Sequence, residues 1–207
     1  LKEALSLKNN KDNNNPLMGK YLALIFEKAS TRTRVSFEVG MTQLGGKAGF
    51  LSTSDLQLGR GEPIEDTAKV ISSMADAVVL RTISHETLNL FADHSSVPVI
   101  NGLTNLSHPC QLLADLLTFY ECKGDIRDAK VTWVGDYNNV FFSYVEASKL
   151  FQFNLEIACP KTYWPSTEVM QETGATFTED LKAAVKESDL ITTDVWVSMG
   201  DEADSEN

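Results

Sequence analysis

The chain has 207 residues, 43% hydrophobic and 23% charged, which suits one large globular domain or two modest ones. Its net charge of −11 excludes a general nucleic-acid binder, which needs a basic face, yet leaves room for a small anion held by a few arginines and helix N-termini. No apolar run is long enough to span a membrane, and Cys110, Cys122 and Cys159 form no close-spaced metal or redox motif, so reduced thiols in a cytoplasmic protein are expected.

Residues 1–7 suit the tail of an amphipathic helix and are followed by an Asn-rich, turn-forming stretch at 9–16. A strand–helix alternation then sets in. The apolar run 21–26 reads as a buried strand, 35–44 as a helix ended by Gly45-Gly46, and 48–52 as a second strand. Pro63 suits the start of a helix to about Ala75, and strands follow at 77–80 and 97–100 around a short helix at 85–92. Residues 109–120 carry Leu112, Leu113, Leu116, Leu117 and Tyr120 at helical spacing, and Gly124 ends that helix before a hinge at 125–128. The alternation restarts with strands at 131–134 and 155–158 around a helix at 140–151. Helices at 165–172 and 181–186 follow, with Phe177 on a short extended piece between them, and 190–193 forms the last strand. Two βα series joined by one long helix predict an α/β protein of two doubly wound parallel-sheet domains, residues 1–123 and 124–207. Ligands in such sheets lie beyond the carboxyl ends of the strands, which selects the loops at 27–34, 81–84, 101–111, 135–139 and 194–200 and points to an active site in the cleft between the domains.

The first of these loops holds Ser30-Thr31-Arg32-Thr33-Arg34, set between a strand and a helix. Backbone N–H groups at a helix start bind anions, the hydroxyls add donors, and Arg32 offers a planar fork to phosphate oxygens. The same residues would also serve as an N-cap with solvated arginines, and Arg34 could equally pair with Glu38 one turn on.

With Phe26-Glu27-Lys28-Ala29 before it and Val35-Ser36-Phe37-Glu38 after it, this segment resembles the phosphate-binding segment of the aspartate/ornithine carbamoyltransferase superfamily. The resemblance runs from about Leu17 to Met199 and includes several motifs in the family's order. It implies that Ser30, Thr31, Arg32 and Thr33 hold the phosphate of carbamoyl phosphate, with Arg32 also neutralising the departing phosphate. In His108-Pro109-Cys110-Gln111 it implies that His108 donates to the carbamoyl carbonyl and that Gln111 fixes the carbamoyl NH2, while Arg81 reaches the same oxygens. Cys110 reads as a packed thiol, since no covalent intermediate is needed. The stretch 54–62 lacks the lysine of aspartate enzymes and takes the Gln-Leu-Gly-Arg-Gly-Glu form of ornithine enzymes, which would send Gln57 across a trimer interface. Gly135-Asp136-Tyr137-Asn138-Asn139 lacks the dinucleotide glycine pattern and is similar to the family's ornithine turn, with Asn139 on the α-amino/carboxylate end. In the loop 194–200, Asp194 would pair with the α-ammonium of ornithine, and Ser198 and Met199 would close over it.

The reaction so implied moves the carbamoyl group of carbamoyl phosphate to the δ-amine of L-ornithine, giving L-citrulline and phosphate in arginine metabolism or the urea cycle, with no metal or organic cofactor. Two departures stand out. The residues Phe141-Phe142-Ser143-Tyr144 are bulkier than usual after the Asn-Asn turn. Family members also continue past the point where this sequence stops and carry a longer N-terminal helix, so the second domain is expected to be incomplete and a chain ending at Asn207 to be weakly active. The alternatives are a sibling transferase with another amine acceptor and a catalytically silent relative that binds carbamoyl phosphate.

Overall fold

The computed structural model describes residues 1–9, 15–52 and 61–195. Packing divides the chain into two compact units, Lys2–Asn105 and the part from Leu106 onward, which also takes in Leu1.

The first unit opens with helix α1 (Lys2–Asn9). It then alternates β1 (Tyr21–Phe26), α2 (Thr31–Gln43), β2 (Lys47–Ser52), α3 (Ile64–Ser72), β3 (Ala77–Arg81), α4 (His85–His94) and β4 (Val99–Leu103). The four strands form one parallel sheet in the order β2-β1-β3-β4. Leu22 to Phe26 are all buried because both faces of the sheet are covered, which is why β1 reads as an unbroken apolar run. Ala23, Ile25, Val78 and Leu80 face Ala68 of α3 and Leu88 and Phe91 of α4. On the opposite face, Leu22, Leu24, Phe26 and Val79 meet Phe37 and Met41 of α2.

The second unit runs α5 (Pro109–Lys123), β5 (Lys130–Val134), α6 (Asn139–Phe151), β6 (Asn154–Ala158), a 3-10 turn (Lys161–Tyr163), α7 (Thr167–Thr173), β7 (Thr176–Thr178), α8 (Leu181–Val185) and β8 (Leu190–Thr192). Its sheet is again parallel, in the order β7-β6-β5-β8. The core is aromatic. Trp133, Phe141 and Tyr144 are fully buried, with the Trp133 ring 6.0 Å from Phe141 and 5.8 Å from Tyr144. The three aromatics after the Asn-Asn turn are thus not all alike: Phe141 and Tyr144 fill this core, while Phe142 is half-buried.

Several element boundaries differ from the sequence expectation. Helix α2 begins at Thr31 rather than at 35, because Ser30 caps it and the whole Ser-Thr-Arg-Thr-Arg segment enters its first turn. Strand β4 spans Val99–Leu103 rather than 97–100; Pro98 has no ladder donor, and only its carbonyl joins in, accepting from the Val78 amide at 3.0 Å. By packing, α5 belongs with the second unit, because Leu112, Leu116 and Phe119 are buried with Trp133 and Phe141.

Candidate active site

In the first sheet the chain enters at β1, steps to β2 on one side and returns to β3 on the other, so the topological switch point lies between β1 and β3. A ligand in an open parallel sheet sits beyond the carboxyl ends at such a point. Both carboxyl ends carry candidate residues. Beyond β1, Ser30 is extended (φ −152°, ψ 105°), its hydroxyl accepts from the Thr33 amide at 3.4 Å and donates to Thr33 Oγ1 at 3.0 Å. The amides of a first helical turn have no intrahelical acceptor and carry the positive end of the helix dipole, so the start of α2 presents donors to an anion. Thr31 and Arg32 are exposed there, and Ser30 and Thr33 are half-buried.

Arg34 is engaged elsewhere: its Nε donates to Glu38 Oε1 at 2.9 Å and its guanidinium lies 3.9 Å from the centre of the Phe50 ring. Arg81, the last residue of β3, is different. Its Nη1 makes one long bond to the Gly102 carbonyl at 3.4 Å, and its Nε is buried with no acceptor among the described residues. Burial lowers its pKa from the ordinary arginine value. A half-buried guanidinium with an unpaired donor favours an anion beside it, which would stabilise the charge that burial disfavours. The strand end is held by Glu27, whose amide donates to the Arg81 carbonyl at 2.8 Å. Its carboxylate accepts from the Thr82 hydroxyl at 2.6 Å and the Ile83 amide at 2.9 Å. Next to it the sheet shifts register between Leu80 and Arg81, and Leu103, the partner of Arg81, has φ +147°.

The second sheet has the same logic: β5 leads to β6 and β7 on one side, and β8 returns to the other side of β5. The turn after β5 and the segment after β8 flank that switch point, and they hold Asn138, Asn139 and Asp194. Gly135 opens the turn at φ +152°, where a side chain would be strained and its Cβ would press on Trp133 Nε1 at 3.2 Å. The two asparagines divide the work. Asn138 caps α6, its Oδ1 accepting from the Val140 and Phe141 amides at 3.0 Å each, while its Nδ2 donates to Asp194 Oδ2 at 3.2 Å. Asn139 is the first helical residue, and its carbonyl accepts from Ser143 Oγ at 3.0 Å. Asp194 is exposed and bridges to the turn instead of capping its own strand.

His108 precedes α5 and makes no side-chain cap, and Pro109 occupies the first turn. The backbone amide of His108 donates to Ser143 Oγ at 2.7 Å, which ties this residue to α6. Gln111 is exposed, and its Nε2 donates to Asp115 Oδ1 at 2.9 Å. Cys110 is half-buried and burial raises its thiol pKa, as suits a packed rather than a nucleophilic cysteine. Gln57, Ser198 and Met199 lie outside the described residues.

No role at the site was expected from sequence for Glu27, Asp115, Ser143 or Tyr144. Asp115 was accessible in principle, being one turn beyond Gln111. The other three gain their meaning from partners distant in the chain.

Residues 1–121 match the family described as aspartate/ornithine carbamoyltransferase, carbamoyl-P binding domain, and residues 127–207 match its Asp/Orn binding domain. The chain is 53% identical over 203 residues to the ornithine carbamoyltransferase of Methylococcus capsulatus, covering 97% of this chain and 68% of that protein. Identity to the ornithine carbamoyltransferase of Halorhodospira halophila is 56% over 191 residues, covering 91% of this chain and 64% of that one. In three dimensions it is similar to the Pyrococcus furiosus ornithine carbamoyltransferase, with a TM-score of 0.88 and 45% identity over 99% of this chain and 68% of that structure. The chain therefore spans about two thirds of the length of these relatives. Both domain matches, at this identity and with two parallel sheets whose switch points carry the motif residues, place the chain in the aspartate/ornithine carbamoyltransferase family.

Proposed function

We propose that this chain serves the transfer of the carbamoyl group of carbamoyl phosphate to the δ-amine of L-ornithine, giving L-citrulline and phosphate. The observation that carries the reading is the start of α2 at Thr31 beside the switch point where Arg81 keeps a buried, vacant Nε. Ser30, Thr31, Arg32 and Thr33 hold the phosphate, and Arg81 bonds the oxygens between phosphate and carbonyl. His108 donates to the carbonyl oxygen, and Gln111 accepts from the carbamoyl NH2. The neutral δ-amine attacks the carbamoyl carbon, the tetrahedral intermediate carries charge on the carbonyl oxygen, and phosphate departs as the C–O bond breaks, taking up the proton that the amine nitrogen loses. Charge stabilisation by His108, Arg81 and Arg32, with both substrates held in attack geometry, supplies the acceleration.

Asn139 and Asp194 hold the α-amino/carboxylate end of ornithine, with Ser198 and Met199 closing over it. The loop carrying Gln57 serves the site of a neighbouring subunit in a trimer in the cytoplasm. Support for ornithine over aspartate comes from the missing lysine between Lys47 and Lys69 and from the names of the relatives.

In the full-length protein, His108→Ala is expected to lower citrulline formation about 100-fold or more, while calorimetry with inorganic phosphate stays unchanged. Unaltered turnover would remove the carbonyl-polarising role. Binding of carbamoyl phosphate without turnover of ornithine, putrescine or aspartate in the unmutated protein would instead favour a silent relative.

A further inference from the structure

The Gln111 amide is anchored from below. Its Nε2 donates to Asp115 Oδ1 at 2.9 Å, and the second oxygen of the same carboxylate, Oδ2, accepts from the Tyr144 hydroxyl at 2.8 Å. Tyr144 is fully buried on α6, packed 5.8 Å from the Trp133 ring, and Thr192 Oγ1 at the end of β8 lies 3.5 Å from its hydroxyl. One carboxylate thus joins an exposed side chain on α5 to a fully buried ring of α6.

The chemistry of this chain of bonds has a direction. A carboxylate only accepts, so the nitrogen of the Gln111 amide must face Asp115, and the atom left to present is the carbonyl Oε1. An isolated glutamine would flip, offering either a donor or an acceptor. Burial, together with the neighbouring carboxylate, pushes the Tyr144 phenol well above its ordinary pKa, so it remains a donor to Asp115. Without Tyr144 the carboxylate would hold Gln111 only by a solvent-facing bond within one helix, a weak restraint.

We infer that Asp115 and Tyr144 are positioning residues that lock Gln111 with its carbonyl outward, so that the site selects an acyl phosphate bearing an NH2 group over one bearing a methyl group. The inference rests on the proposed contact between Gln111 and the carbamoyl NH2. It assigns to the buried tyrosine a role in donor selectivity, distinct from its packing role. Acetyl phosphate, which has CH3 in place of NH2, cannot donate to Oε1 and leaves that acceptor unpaired.

The test uses the full-length protein with carbamoyl phosphate as substrate and acetyl phosphate as competing ligand, in Gln111→Ala, Asp115→Asn and Tyr144→Phe and in each double variant with Gln111→Ala. An asparagine at 115 can donate or accept and so releases the flip, and phenylalanine at 144 keeps the ring and removes only the hydroxyl. Asp115→Asn and Tyr144→Phe are each expected to lower kcat/KM for carbamoyl phosphate about tenfold while leaving the inhibition constant of acetyl phosphate within about twofold. In the Gln111→Ala background both substitutions should lose their effect. Equal losses in the two backgrounds, or equal weakening of acetyl phosphate, would show a merely structural role and overturn the positioning inference alone. A Gln111→Ala variant that keeps full kcat/KM would instead overturn the Gln111 contact itself.

Discussion

Arg34 shows how one side chain in a motif can be read two ways from its spacing and only one way from its surroundings. One residue separates it from Arg32, and both arginines could have faced a phosphate. Arg34 instead pairs with Glu38 and lies over Phe50, and Arg32 is left at the helix start. Arg34→Ala is therefore expected to cost about 0.5–1 kcal/mol of stability through the lost pair and ring contact, with phosphate affinity by calorimetry at the parent value. A loss of about tenfold in that affinity, some 1.4 kcal/mol, would return Arg34 to the ligand set. Asp76 makes a second residue-scale case. Its carboxylate accepts from Lys20 Nζ and from the Tyr21 amide, both at 2.8 Å, and these bonds, Lys20 first, hold its pKa below the ordinary value. A carboxylate whose pKa is depressed on folding stabilises the fold above its unfolded pKa, and that contribution is lost as pH falls through the folded value. Urea titrations should accordingly show Asp76→Asn less stable than the parent above about pH 4, with the two curves converging in more acid solution. A gap that persists in acid would mean the loss is not electrostatic.

At the scale of elements, the aromatic helix α6 carries most of what periodicity could not interpret. Its run Phe141-Phe142-Ser143-Tyr144 is bulky, and packing explains how the bulk is accommodated. Phe141 stacks edgewise on Tyr137 and Phe177 at 5.5 and 6.3 Å and lies beside Trp133, so its volume is spent in the core. Ser143, fully buried, bonds the His108 amide, and Tyr144 bonds Asp115. Phe141→Ala should destabilise by about 3–5 kcal/mol, the usual range for emptying a buried aromatic site. Hydrogen exchange should locate the loss of protection in β5 and β6, whose side chains line that core. A cost below about 1 kcal/mol would mean that the core collapses around the gap.

Across the whole molecule, each unit repeats one design: a central strand entered first, neighbours added on one side, and a return to the other side that leaves a switch point. That design was legible in the sequence. The buried run of β1 needs helices on both faces, the glycine and proline punctuation separates the elements, and the Ser30 segment lies between a strand and a helix, so parallel sheets and an anion-binding helix start follow from local pattern. The types of the motif residues also pointed to the proposed donor chemistry, because Ser, Thr and Arg at a helix start suit a phosphate. Tertiary structure alone decided the rest. Which arginine keeps a vacant donor depends on the burial of Arg81 at the end of β3. Which asparagine caps depends on the turn after Gly135, and which way the Gln111 amide faces depends on Tyr144, 29 positions beyond Asp115. Spacing along a chain reports which residues share a face of one element. It carries no information about which residue of another helix will be buried against that face, and the orientation of a hydrogen-bonding group is settled by that partner.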